Sequence, residues 1–181
     1  VLDDERDLLE RSRRGDLDAF EQLVRAHQDH IYALTFRITG NHEDANDSAQ
    51  DAFVKAFRAL RHFRGDAAFS TWLHRIASNA ALDLVRRRPP QPLMEIPSGL
   101  TAPEGPEDVA QRREVQRRIH AALGQLPAEF RAAVVLRDLQ GLAYDEIARI
   151  LRVPIGTVRS RISRAREALR VQLTDLVGSE G

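Results

Sequence analysis

Three groups of side chains in this sequence have types and spacings that could do chemistry. Arg159, Arg161 and Arg164 lie on a segment where Val158, Ile162, Ala165 and Leu169 recur at helical steps. That pattern gives an amphipathic helix with a basic side, and guanidinium groups suit phosphate oxygens and guanine edges. Glu43, Asp44, Asp47 and Asp51 form the second group, within about 100° of one another on a helical wheel. Such a face is either solvated or docks a basic partner. The third group, Asp3-Asp4-Glu5-Arg6-Asp7, has a spacing able to hold magnesium diphosphate. That chemistry needs a second acidic motif facing it across a large apolar cavity, and the chain is short for it. His27 and His30 have no further ligands in sequence reach. Gly-rich phosphate loops, Ser/His/Asp order and metal-ligand spacings are missing, so neither a metal nor a cofactor is expected.

The 181 residues allow one domain or two small ones. The absence of Cys excludes disulfides and cysteine-held zinc within the chain, and fits a cytoplasmic protein. Neither a signal peptide nor a membrane-spanning run is read from it. The net charge of zero hides a division. Residues 1–88 carry 14 basic and 15 acidic side chains, residues 89–108 none and 4, and residues 109–181 carry 13 and 8. The C-terminal part alone has the charge of a nucleic-acid binder.

The elements that must position these groups are all helical. A short charged helix runs from Asp3 to Arg14. Asp16 can cap a long one to about Thr39, with Phe20, Leu23, His27, Ile31, Leu34 and Ile38 on one stripe. The helix from about Glu43 to Leu60 buries Ala49, Phe53, Ala56 and Leu60 and turns its four carboxylates outward. Next comes a loop with Phe63 and Arg64, then a helix from Phe69 to about Arg88 with Trp72, Ile76, Ala80 and Leu84 on one line. This loop and helix, with Trp72, Arg75, Asn79 and the run Arg86-Arg87-Arg88, suit single-stranded nucleic acid, because aromatics stack on bases while arginines follow the backbone. The alternative places Phe63, Phe69 and Trp72 in the core.

Residues 89–108 are rich in Pro, acidic and free of basic side chains, which favours an extended linker. Twenty residues reach roughly 65–70 Å, about two turns of duplex. The second domain resumes at Val109 with one helix to Gly124 and another from Pro127 to Leu139. In the segment that follows, Ile147, Ala148 and Leu151 share a face. The break at Arg152-Val153-Pro154 ends that helix, and Pro154 presets the next. Two helices, a short turn and a basic second helix describe a helix-turn-helix. Its leading residues Gly156, Thr157, Arg159 and Ser160 would reach base edges in the major groove, with Arg161 and Arg164 placed for phosphates or bases further along. The fold class is therefore all-α: two small helical domains, 1–88 and 109–181, joined by a flexible acidic linker.

The chain resembles the extracytoplasmic-function, or group 4, sigma factors of bacterial RNA polymerase. Four passages carry the resemblance: NDSAQDAFVKAFRAL, FRGDAAFSTWLHRIASNAALDLVRRR, LPAEFRAAVVLRDLQGLAYDEIARIL and VPIGTVRSRISRAREALR. It implies that Asp47, Gln50, Asp51 and Phe53 contact core RNA polymerase. It also implies that Phe63, Arg64, Phe69, Trp72, Arg75, Asn79 and Arg86 to Arg88 melt and read the −10 element of promoter DNA. The helix-turn-helix would read the −35 element, the linker would thread toward the polymerase active centre, and an anti-sigma factor would be the inhibitor. Any thiol redox sensing would then lie in that partner. Three departures stand out: Ser48 and Ala49 replace larger aliphatics, Asn46 a frequent acid, and Ala143 the usual Ser or Thr before Tyr144. On this resemblance the protein has no catalytic residues. A free-standing helix-turn-helix regulator and a magnesium-dependent helical enzyme are the competing readings.

Overall fold

The computed structural model describes residues 2–87 and 106–177, with side chains described for 5–87 and 110–174. The N-terminal half is a four-helix cluster of α1 (Leu2–Arg13), α2 (Leu17–Thr39), α3 (His42–Ala59) and α4 (Phe69–Arg87), with a 3₁₀ turn at Leu60–His62. Local chemistry sets each boundary. The Asp16 carboxylate accepts the Ala19 N–H at 3.0 Å and opens α2. Gly40, at φ 83°, closes it and returns its N–H to the Phe36 carbonyl at 2.8 Å, a left-handed cap that glycine adopts at little cost. Asn41 then caps α3 through the Asp44 N–H at 2.8 Å.

The core of this half lies where α2 meets α3 and α4. Leu23, Ile31, Leu34 and Ile38 from α2 are buried against the small residues Ala52 and Ala56 of α3, with Leu73 and Ala77 of α4. The alanines let the helix backbones approach closely, so aliphatic side chains from α2 fill the space between them. On α4 the buried line is Phe69, Leu73, Ala77 and Ala81. The expected line of Trp72, Ile76, Ala80 and Leu84 is rotated from it, and only Ala80 of those four is fully buried.

The C-terminal half comprises α5 (Pro106–Gln125), α6 (Ala128–Val134), α7 (Tyr144–Leu151) and α8 (Ile155–Val177). Alpha-helix begins at Pro106, so the last three residues assigned to the linker belong to α5; the extended path expected for 89–105 lies outside the described residues. The helix expected to run unbroken to Leu139 widens after α6 into a π turn over Val135–Leu139. There the Gln140 N–H reaches back five residues to the Val135 carbonyl at 3.1 Å.

The helix-turn-helix forms as the periodicity requires. Ile147, Ile150 and Leu151 of α7 are buried against Val158, Ile162 and Ala165 of α8. The turn depends on Arg152, whose φ of 56° makes it the left-handed cap of α7, with its N–H on the Ala148 carbonyl. Ala143 cannot cap α7 with its side chain. Instead the Glu146 carboxylate reaches back to the Ala143 N–H at 3.2 Å, which is half of a capping box.

The two halves touch. Helix α4 lies against α6 and α7, and α2 against α6. Phe36 of α2 stacks on His120 of α5 with ring centroids 4.8 Å apart and planes at 11°.

Candidate nucleic-acid interface

The acidic face of α3 is narrower than its sequence suggests. Glu43, Asp47, Gln50 and Asp51 are exposed. Asp44, expected beside them, is 4% exposed and turned inward, where Asn41 Nδ2 donates to its carboxylate at 2.9 Å. The same asparagine that caps the helix thus captures a carboxylate one turn along. Asp51 pairs with Lys55 at 2.6 Å. Phe53 is half-buried against the core, and Val54 stands 49% exposed on the line of Asp47 and Asp51. That valine is an apolar spot among carboxylates, and helical spacing from Asp47 could have revealed it. Ser48 and Ala49 are buried, and the Ser48 hydroxyl donates to the Asp44 carbonyl at 2.6 Å.

The loop after α3 and the first turns of α4 gather an aromatic group. The Phe63 ring lies 5.0 Å from Trp72 and 6.0 Å from Phe69. Phe63 and Trp72 are half-buried and present part of their rings to solvent. Phe69 is 4% exposed, so it sits beneath them as core and cannot itself stack on a base. Its other neighbour is His27, edge-on at 5.2 Å. Arg64 is exposed, and Asn79 is half-buried further along α4.

Most arginines expected to face nucleic acid here already hold partners. Arg75 donates to the Glu146 carboxylate of α7, while its own Nε is buried without a hydrogen bond. Arg86 Nε donates to Glu129 of α6 at 2.6 Å, and that bond raises the basicity of its guanidinium. The second oxygen of Glu129 accepts Arg161 of α8 at 3.1 Å. One carboxylate therefore bridges α4 and the helix-turn-helix. Arg87 is exposed, with Nε on the Asp83 carbonyl at 3.0 Å; Arg88 lies outside the described residues.

On α8, Arg159, Ser160 and Arg164 are exposed and Thr157 half-buried. The space over Gly156 is open, so a duplex backbone can come close. Arg161 departs from this set: it turns toward α6, on the other flank of the helix. The opposite flank carries residues that the sequence reading missed. Tyr144, Ser163, Arg166 and Arg170 join the expected Arg159 around a cleft of about 220 Å³ at the start of α7. Asp138 holds Arg166 through two bonds, at 2.9 and 2.5 Å, and raises its pKa. Arg137 lies over the Tyr144 ring at 5.0 Å and donates to the Leu142 carbonyl at 2.9 Å. Ser163 and Arg166 follow Arg159 at helical steps, and that spacing was the available signal.

Of the acidic start, Glu5 and Asp7 are described, and the side chains of Asp3 and Asp4 lie outside the described residues. Glu5 accepts a hydrogen bond from His27 Nε2 at 2.8 Å, and Asp7 faces Arg11 at 3.6 Å. Among the described residues no group of three or more His, Asp or Glu is placed to hold a metal. Among them, too, no helix is long and apolar enough to cross a membrane.

An acidic helix, an aromatic-rich loop before a basic helix, and a helix-turn-helix are the parts of a promoter-recognition factor. Residues 23–89 match Sigma-70 region 2, and residues 116–169 match Sigma-70, region 4. The RNA polymerase sigma-H factor of Pseudomonas aeruginosa is 44% identical over 181 residues, covering 94% of each chain. The ECF RNA polymerase sigma-E factor of Escherichia coli is 40% identical, again over 94% of each, and SigW of Bacillus subtilis is 39% identical over 91% and 94%. Among solved structures, CnrH in complex with the cytosolic domain of CnrY aligns with a TM-score of 0.62 at 29% identity, over 98% of this chain and 99% of that one. The sigma factor RpoE, solved with the anti-sigma factor NepR from Bartonella quintana, shares the fold at a TM-score of 0.67 and 24% identity, over 86% and 96%. This chain belongs to the extracytoplasmic-function sigma factors, which direct RNA polymerase to particular promoters. The match of the N-terminal half to region 2 disfavours a free-standing helix-turn-helix regulator.

Proposed function

We propose that the exposed side of α3, with Asp47, Gln50, Asp51 and Val54, docks on a basic surface of core RNA polymerase, and that Phe53 supports that face from within. Residues 1–88 act as the unit that docks and opens the −10 element. Phe63 and Trp72 offer ring faces to unstacked bases, Phe69 braces them, and Arg64, Arg75, Asn79 and Arg86 to Arg88 follow the strand. Residues 109–181 read the −35 duplex through Gly156, Thr157, Arg159, Ser160 and Arg164, with Tyr144, Ser163 and Arg166 alongside. Arg86 and Arg161 contribute once they leave Glu129, and Arg75 once it leaves Glu146.

The observation that carries this reading is the separation of charge within one chain. The exposed acidic face lies on α3, while aromatic groups gather at the loop before α4 and its first turns, and basic groups on α4 and α8. Melting is driven by capture: bases held by aromatic faces and arginines replace base pairing. On this reading the protein is a cytoplasmic factor that captures DNA with no covalent step of its own. A protein inhibitor that grips both halves is the expected regulator, and CnrH, of the same fold, is solved in complex with the cytosolic domain of CnrY.

Co-elution with bacterial core RNA polymerase on gel filtration tests the docking face. The wild type should co-elute, and the double variant Asp47→Arg, Asp51→Arg should not. A wild type that fails to bind core in the absence of inhibitor overturns the reading.

A further inference from the structure

Helix α1 carries no residue assigned to polymerase or promoter, yet it reaches the loop that holds Phe63. Arg13, in its last turn, donates from Nη2 to the Phe63 carbonyl and lies over the Phe63 ring at 5.5 Å. One guanidinium therefore restrains the backbone of this residue by a hydrogen bond and its ring by a cation–π contact. The anchor itself is firm. Leu8 of α1 is buried, Glu5 bonds His27 of α2 at 2.8 Å, and Arg11 bonds Asp16 at 2.9 Å across the turn between the helices. The backbone beyond Arg13 is pinned as well: the Gly15 N–H reaches the Ser12 carbonyl at 3.0 Å and the Asp16 N–H the Arg11 carbonyl at 3.1 Å.

On its other side the Phe63 ring packs on Trp72 and Phe69, but the backbone of the loop is less tied. Phe63 returns its N–H to Leu60 at 3.0 Å, and the chain then turns through Gly65 at φ 80° with Arg64 and Asp66 exposed. A ring that must meet an unstacked base gains affinity when its loop is already ordered, because ordering it on binding costs free energy.

We propose that Arg13 is a positioning residue for strand capture: it holds the Phe63 loop in its reading orientation before DNA arrives. The inference rests on the reading of the Phe63 loop as the −10 contact. It differs from a direct phosphate contact in what it requires. A phosphate needs only positive charge, whereas the combined bond and stack need the planar fork of arginine.

The test uses the full chain bound to core polymerase. Its probe is the single-stranded non-template −10 oligonucleotide of a promoter mapped with the wild-type holoenzyme. Arg13→Lys and Arg13→Gln should each weaken oligonucleotide binding about three- to ten-fold, the scale of one lost hydrogen bond with its stacking, with core affinity unchanged. Arg13→Lys binding as wild type while Arg13→Gln is weak would mean charge alone matters and would overturn the proposal. Phe63→Ala separates the two levels. If it weakens binding while both Arg13 variants behave as wild type, the loop reads DNA without help from α1. If Phe63→Ala changes nothing, the loop is not the −10 contact, and the role of Arg13 falls with it.

Discussion

Arg75 of α4 and Glu146 of α7 form an ion pair between the two halves of the molecule, and the same carboxylate receives the N–H that opens α7. With Glu129 holding both Arg86 and Arg161, three arginines proposed to meet DNA are neutralised inside the free chain. Removing both carboxylates, Glu129→Ala with Glu146→Ala, should weaken closure by about 1–3 kcal/mol in sum, since partly exposed pairs are worth up to about 1 kcal/mol each. Small-angle scattering should then show a larger radius of gyration, and the free variant should bind −35 duplex several-fold more tightly. An unchanged scattering profile would show that apolar contact around Phe36 and His120 suffices to hold the halves together.

Val54 is an exposed apolar residue among carboxylates. A buried hot-spot contact is worth about 2 kcal/mol or more on truncation, so Val54→Asp should cut core polymerase affinity by at least about 10-fold. Because the side chain is exposed, thermal stability should stay within about 0.5 kcal/mol of wild type. Equilibrium binding to labelled core measures the first effect, and calorimetry the second.

Arg159 and Arg170 lie in the same cleft of the helix-turn-helix but should behave differently. Arg159 is at the leading end of α8, where side chains reach base edges, so Arg159→Ala should cost about 1–3 kcal/mol and relax the preference at one −35 position. Arg170, three turns along and already paired with Glu167, is placed for phosphate on the proposed docking. Arg170→Ala should weaken all sequences equally and reduce the slope of log affinity against log salt by about 0.9. Binding titrations across salt and across single-base variants of the site distinguish the two behaviours.

Arg152 occupies a left-handed conformation that costs a non-glycine residue about 1–2 kcal/mol. Arg152→Gly removes that strain but gives the unfolded chain more freedom. A net gain of about 0.5–1 kcal/mol is expected, seen as a rise of about 2–5 °C in the melting temperature of the C-terminal half. A fall in melting temperature would mean that Arg152 contributes a contact worth more than its backbone strain.

His74 lies partly buried on α4, and burial, followed by repulsion from His27 and His30, lowers its pKa below the usual 6.5. The folded state therefore binds fewer protons than the unfolded state just below pH 6.5. Stability from this group is complete above that value and declines as pH falls through the window down to the lowered pKa. Melting of the N-terminal half between pH 7.5 and 5.5 should follow that course, and His74→Gln should flatten it.

The helix-turn-helix was legible because two signals agreed: the steps from Val158 to Leu169, and Pro154 at the break. The buried line of α4 was less so, since alanines at 77, 80 and 81 leave hydrophobic periodicity nearly level and let Trp72 mislead it. Asp44 looked like a neighbour of Asp47 because a wheel places side chains by angle alone, without the Asn41 amide that turns this one inward. The pairs joining the halves were out of reach. Arg75 and Glu146 are 71 positions apart, and no local pattern marks one charged side chain as the partner of another at that distance.

The bridge at Glu129 also bears on how DNA binding responds to ions. A free arginine that meets a phosphate releases the cation condensed there, and each such release steepens the salt dependence. Arg86 and Arg161 arrive carrying an internal carboxylate. On the proposed contacts, phosphate displaces that carboxylate and leaves Glu129 to recruit a cation of its own from solution. Part of the entropy gained at the DNA is then returned at the protein, and promoter binding through these two arginines is expected to be less sensitive to ionic strength than their number suggests.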